Sequence, residues 1–573
     1  MAMVYQKSVF FFAAAMLLLS ACAVNPVAPV NDTVPVPAVE TAQGPVLGTA
    51  DSATDTFSWK AVPYARPPVG DLRWKAPQPP ENRSEPLVAD RFCQLCPQYI
   101  DHDRNPATSQ VIVGQEDCLY LNIWTPKAAS GDLPVFFWIH GGGNSIQWPL
   151  LSRQGGGVLA EKGNMVVVTV NYRLGPMGFW SHPALRTGDD PAADSGNFAL
   201  LDLIQALEWV QANIRNFGGN PDNVTIAGES AGAANVFCLL SSPLASGLFH
   251  KAVSQSGAVR PSTLAQGEEH VNRILAEMLV KESAAADVDA AEKVLADMSA
   301  EAVDAYMRSK SPARFLELYP EGKSSGMIRF PTSFIDGHVL PMPFYQALKT
   351  GQYHKVPMIL GSNKNEVKLF YRTIRPFNQW RDDYSLFTDP AKAQLYERVT
   401  QYVSDGWKVM AVDHPARLMS SRTDQPPVFA YQFLWGSDGD VLTPPLKLIL
   451  GASHAMEIDF VFGTQDASLG SVVFSEQNRP GREALQEAMM AYWSAFAHTA
   501  DPTPQGADLP AWQPWSNTAQ SPKSLLLNAD LSEARITMSN DELTNETLIE
   551  ALRAEPRQKE IQPFWDGSAY RVR

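Results

Sequence analysis

The sequence predicts an α/β protein: a large, mostly parallel central sheet with helices on both faces and helical insertions. Three features carry that expectation. Short β-rich runs recur with almost no polar alternation, a strongly periodic helical stretch lies between two of them, and an Ala- and charge-rich tract interrupts the series.

The runs are "VFFWI" (Val135 to Ile139), "MVVVTVNY" (Met165 to Tyr172), "NVTIAG" (Asn223 to Gly228), "KAVSQSG" (Lys251 to Gly257), "VPMILGS" (Val356 to Ser362) and "PVFAYQFLW" (Pro427 to Trp435). A strand wetted on one face alternates apolar with polar residues, so runs without alternation are buried on both faces, as in a parallel sheet covered by helices. Between the second and third, Leu200, Leu203, Ile204, Leu207, Val210 and Ile214 recur at helical spacing, and Gly218, Gly219 and Pro221 supply the stop. Strand, helix and strand therefore alternate as a crossover unit. From about Glu268 to Ser311 the chain is predicted to be helical, a cap or insertion rather than sheet.

With 573 residues, 45% of them hydrophobic, the chain can bury a large core. Its formal net charge of -15, with Lys and Arg scattered, argues against nucleic acid as a partner, because phosphate binding needs concentrated positive charge. Lys7 and the apolar run Val9 to Leu19, shorter than the roughly 20 residues of a spanning helix, read as a secretory signal over residues 1–21. "LSAC" (Leu19 to Cys22) looks like the lipobox of bacterial lipoproteins, which would leave Cys22 as the lipidated first residue; the alternative is an ordinary secretion signal. Pro-rich residues up to Gln43 are then expected to form a tether, and 44–573 a single folded domain. The protein is expected to be exported, and to meet a membrane only through an anchor at Cys22.

Four cysteines remain, Cys93, Cys96, Cys118 and Cys238. No second "CxxC" pair and no histidine array accompanies Cys93 and Cys96, so a disulfide is expected there rather than a metal; Cys238 reads as a buried thiol.

The chemistry centres on "VTIAGESAGAAN" (Val224 to Asn235). Its G-x-S-x-G, Gly228 to Gly232, follows a predicted strand and precedes an apolar helical stretch, the setting of a nucleophile elbow. A serine hydroxyl needs a base for its proton, an acid to orient the base, and donors for the developing oxyanion. Three successive glycines in "FFWIHGGGN" (Phe136 to Asn144) can supply N–H donors, joined by that of Ala231. In this arrangement the chain order is serine, acid, histidine; His414, His454 and His498 all lie late enough to be the base. Glu366 follows a predicted strand at its carboxyl end, while Asp336 and other carboxylates compete with it on spacing alone. His454 and Glu457 form H-x-x-E, which is not a zinc signature, so no metal and no cofactor is expected.

From about Gly44 to Asp566 the chain resembles the type-B carboxylesterase family, through "WKAVPYARPPVGDLRWKAP", "EDCLYLNIWTP", "HGGG", "VNYRLGPMGFW", "GESAGA", "GSNKNE" and "HAMEIDFVFG". The resemblance implies the α/β-hydrolase fold, a catalytic triad of Ser230, Glu366 and His454, and oxyanion donors at Gly142, Gly143 and Ala231. It implies a Cys96–Cys118 disulfide, structural ion pairs Arg73–Glu116 and Arg173–Asp202, and support of the histidine by Ser256 and Glu457. Asn144 stands where the family usually has an aromatic residue, which would make that part of the pocket more polar; Leu369 and Phe370 match pocket-lining places, with core packing as the alternative. The choline-binding indole of cholinesterases has no counterpart between Cys96 and Cys118. The function implied is hydrolysis of a small-molecule carboxylic ester through an acyl-enzyme. Alternatives are a lipase acting on aggregated lipid esters and a binding or adhesion protein that kept the fold without catalysis.

Overall fold

The computed structural model describes residues 37–100, 111–129, 131–147, 156–319, 327–465 and 468–568. The largest sheet among them has eleven strands: β1 (Thr49–Ala50), β2 (Thr56–Pro63), β3 (Tyr120–Pro126), β4 (Leu133–Ile139), β5 (Val166–Val170), β6 (Gly219–Glu229), β7 (Lys251–Gln255), β8 (Met358–Asn363), β9 (Val428–Phe433), β10 (Ser524–Ala529) and β11 (Ala534–Ser539). Their spatial order is β11-β10-β9-β8-β7-β6-β4-β5-β3-β2-β1. Every neighbouring pair from β10 to β5 is parallel, and the pairs at the two ends are antiparallel.

All six apolar runs lie in the parallel part. β4, β5, β7, β8 and β9 are buried at every residue, because helices cover both faces of the sheet. Successive residues of β4 feed opposite cores: Val135, Phe137 and Ile139 join one cluster, Phe136 and Trp138 the other. Helix α1 (Gly156–Gly163) lies before β5, α2 (Phe198–Asn213) between β5 and β6, and α3 (Ala231–Ser241) directly after β6. The predicted apolar positions of α2 are buried, with Ile214 in the 3₁₀ turn that follows.

The expected helical insertion comprises α4 (Leu264–Lys281), α5 (Val288–Asp297) and α6 (Ala300–Arg308). Thr263 starts α4 with a capping box to Gln266. Arg73 ties the end of α6 to the N-terminal part. Its guanidinium meets Glu116 at 2.5 Å and donates to the carbonyls of Arg308 and Lys310. Arg173 and Asp202 form a fully buried bidentate pair at 2.7–2.8 Å.

The N-terminal tether is shorter than expected. Ala38–Thr41 already pairs with Gly44–Leu47 in an antiparallel hairpin, and Ala42 N donates to Asn213 Oδ1 at 2.8 Å, so the packed body begins near Pro37 rather than at Gly44. Pro-rich composition favours an extended spacer, yet Val39 finds a place in the core. Cys22 and the signal segment lie outside the described residues. Among the described residues, no helix is long and apolar enough to cross a membrane.

Candidate active site

β6 delivers Ser230 into a turn so tight that the residue takes φ 57°, ψ -121°, a conformation L-residues avoid, before α3 begins at Ala231. The flanking glycines follow from this geometry. A Cβ on Gly232 would stand 2.0 Å from Ile139 O, and one on Gly228 would stand 2.5 Å from the backbone of Gly232. Strand and helix can meet at this angle only if neither position carries a side chain. Ser230 is half-buried, and its N–H donates to Gln255 O at 2.9 Å.

The glycine loop leaves β4 beside this turn. Ser145 N and Ile146 N both donate to Gly142 O, at 3.1 and 3.0 Å, which curls the loop and turns Gly142 and Gly143 to positive φ. Gly143 faces the Met327 sulfur. His140, at the loop's start, stacks on Tyr172 at 4.5 Å and lies 2.8 Å from Gly141 O through Nδ1; burial lowers it to about 4, so it stays neutral.

His454 and Glu366 come together. His454 Nδ1 lies 2.6 Å from Glu366 Oε2, and both side chains are buried. Glu366 is held in turn by Ser256 Oγ at 2.5 Å and Asn363 N at 2.7 Å, both on Oε1. Glu457 makes no hydrogen bond to the imidazole. It accepts from Asn363 Nδ2 at 2.5 Å and Gln255 Nε2 at 3.2 Å, and Asn363 Nδ2 also reaches Ser453 O, so Glu457 braces the residues on either side of the His454–Glu366 contact.

The other imidazole nitrogen, Nε2, makes no hydrogen bond to Ser230 and lies 3.1 Å from Glu229 Oε1, out of line for a hydrogen bond. Burial pushes the Glu229 carboxyl up to about 8 against the pull of His454, and burial with the Glu366 charge pushes Glu457 up to about 7. Burial alone would lower His454, but Glu229 and Glu366 outweigh it and raise the imidazole to about 9. His454 and Glu229 titrate as a pair.

The competing residues are occupied elsewhere. His498 Nε2 lies 2.9 Å from Gly163 O, the His414 ring packs on Tyr345, and Asp336 accepts the N–H groups of His338, Val339 and Leu340 in its own turn. Phe370 lies at the site, its ring 5.3 Å from that of His454; Leu369 is partly buried and packs against the core cluster that holds Phe136 and Trp138. Asn144 is not a polar pocket wall: it is buried, and its amide points to Asn235 and Tyr172 because those are the polar groups within reach beneath the loop. Cys96 and Cys118 form the disulfide, with Cys93 outside it and Cys238 buried against Ser333.

Glu229 and Trp407 are among the residues of the site not anticipated from the sequence. Glu229 was legible in principle, being the neighbour of the serine. Trp407 had no local signal: its ring lies 4.6 Å from that of His454, and its Nε1 donates to Ser256 O at 3.1 Å.

A sheet of this topology carrying a serine on a strained strand-to-helix turn defines an α/β-hydrolase. Comparison with known families matches residues 35–387 and 377–545 to the carboxylesterase family. The para-nitrobenzyl esterase of Bacillus subtilis is 31% identical over 513 residues, 88% of this chain and 96% of that protein. The fumonisin B1 esterase of Sphingopyxis macrogoltabida is 34% identical over 464 residues, 77% of this chain and 79% of that protein, and the human cocaine esterase is 32% identical over 515 residues, 82% and 84%. A solved para-nitrobenzyl esterase structure superposes with a TM-score of 0.67 at 28% identity, covering 92% of this chain and 99% of that one. The chain belongs to the carboxylesterase family and is a carboxylic ester hydrolase.

Proposed function

We propose that the chain is a serine carboxylesterase acting on a small-molecule ester by two-step acyl transfer. Ser230 Oγ attacks the ester carbonyl while His454 Nε2 takes its proton, and Glu366 holds the imidazole through Nδ1. The oxyanion is met by the N–H groups of Gly142, Gly143 and Ala231. The protonated His454 gives its proton to the departing alcohol; water then attacks the acyl-enzyme by the same route and the acid leaves. The observation that carries this reading is the strained serine directly after Glu229, whose carboxyl lies 3.1 Å from a histidine locked to a buried glutamate at 2.6 Å. Nε2 must swing from Glu229 to Ser230 when substrate arrives, since catalytic hydrogen bonds tighten on forming the Michaelis complex.

The test is Ser230→Ala, assayed on p-nitrophenyl esters of rising chain length. Hydrolysis should vanish while the fold survives, and retained turnover would sink the assignment. A rate jump above the micellisation point of a long-chain ester would instead indicate a lipase. We also propose export with a lipid anchor at Cys22, read by the mass of the mature N-terminal peptide and its change in Cys22→Ser.

A further inference from the structure

We propose that the buried amide pair Asn144–Asn235 is a positioning clamp that sets the two halves of the oxyanion hole against each other. The inference rests on the acyl-transfer reading above.

The assigned donors come from two separate pieces of chain. Gly142 and Gly143 sit on the loop after β4, whereas Ala231 opens α3. Converging donors stabilise an oxyanion only if each lies about 2.7–3.1 Å from the same point, which requires loop and helix to keep their relative placement closely. The backbone bonds close each half on itself. Ser145 N and Ile146 N donate to Gly142 O within the loop, and Ala234 N donates to Ser230 O within the first turn of the helix. Gly232 packs on the end of β4, but such a contact resists approach and leaves sideways sliding open.

The two asparagines supply directional contacts between the halves. Asn144 directly follows Gly143, and Asn235 stands one helical turn beyond Ala231, on its side of α3. Asn235 Nδ2 donates to Asn144 Oδ1 at 2.9 Å, and Asn144 Nδ2 answers toward Asn235 Oδ1 at 3.4 Å. Asn144 is 5% exposed and Asn235 0%, so water cannot stand in for a lost partner. A third anchor comes from Tyr172, just past β5. Its hydroxyl lies 2.8 Å from His140 O and 3.2 Å from Asn144 Oδ1, and its one proton is shared between them. Main-chain Asn144 O accepts from Gly175 N at 2.7 Å. Asn144 itself has φ 54°, a conformation Asn tolerates better than most residues, and these contacts hold it there.

The experiment compares wild type, Asn144→Ala, Asn235→Ala and the double variant. It measures kcat and KM on p-nitrophenyl acetate, and inhibition by an aryl trifluoromethyl ketone, which Ser230 converts to a hemiketal oxyanion, beside the matching methyl ketone. Loosening the donors should cost about 10- to 100-fold in kcat and a similar factor in trifluoromethyl ketone affinity. KM and methyl ketone binding should stay within about threefold, and the double variant should be no worse than the worse single, since all break one pair. Thermal melting verifies folding; should an alanine variant fail to fold, Asn235→Ser, too short to reach Asn144, replaces it with the same expectation. Folded variants with unchanged kcat and trifluoromethyl ketone affinity overturn the clamp. Ser230→Ala runs alongside: if it keeps activity, the acyl-transfer reading fails, and if it is inert while the asparagine variants are normal, the clamp alone fails.

Discussion

His454 Nε2 stands 3.1 Å from Glu229 Oε1, so the imidazole of this esterase lies between two carboxyl groups, Glu366 on one nitrogen and Glu229 facing the other. A general base must be neutral to accept a proton, and both carboxylates favour the charged ring. The acid limb of kcat/KM is therefore expected in the alkaline range, toward about 9, rather than near 6.5. Glu229→Gln removes one of the two charges and should move that limb down by about 1 to 3 pH units. A limb that stays put in the variant would exclude Glu229 from the base's titration.

The same carboxyls make stability depend on pH. Folded Glu229 and Glu457 keep protons up to about 8 and about 7, while the unfolded chain releases them near 4.5. At these two groups the unfolded state thus binds fewer protons between these values, and their contribution to stability falls as pH rises through them; buried neutral His140 works the other way, but only below about 6.5. Melting temperatures recorded from pH 6.5 to 8, where the lowered histidines no longer titrate, should decline, and Glu457→Gln should flatten the decline.

Trp407 covers one side of the imidazole and bonds the Ser256 carbonyl. Trp407→Phe keeps an aromatic ring but deletes the N–H, leaving a buried carbonyl unmet at a cost of about 1–3 kcal/mol. The smaller, unanchored ring covers less of the imidazole and should also widen the range of His454 orientations. We expect kcat/KM to drop by about tenfold, with KM little changed, in steady-state assays. A variant as active as wild type would reduce Trp407 to core packing.

Arg173 and Asp202 carry opposite charges where neither can reach water. Asp202→Ala strands the guanidinium, and breaking such pairs costs about 3–5 kcal/mol, to be read by chemical denaturation. A cost below about 1 kcal/mol would mean that water reaches Arg173 once its partner is gone.

Gly232→Ala places a methyl group against Ile139 O at 2.0 Å, and the obstacle is backbone on both sides. The elbow has to open for it to fit, which displaces Ser230 and Ala231 together. The expected outcome is loss of at least about 100-fold in kcat even where the protein remains soluble and folded, measured beside its circular dichroism spectrum.

The parallel part of the sheet was legible because burial on both faces leaves uninterrupted apolar runs, and α2 because its spacing is helical. The antiparallel ends escaped notice. β2 carries a bulge between Trp59 and Val62, and β11 is partly exposed, so polar residues interrupt each of them. At the site, order along the chain named Ser230 and its neighbours, but it left three histidines and several carboxylates open; family likeness chose among them. Trp407 and Asn235 escaped for a different reason. Both act through residues distant in sequence, and their side chains are as well suited to plain core packing, so nothing local distinguishes them.

The positive φ of Ser230 sets robustness against reactivity at a single residue. The chain would relax if position 230 were glycine, since strain of this kind amounts to about 1–3 kcal/mol. Selection for folding alone would favour that exchange. A serine in this place marks a chain held to its chemistry at the expense of its own ease.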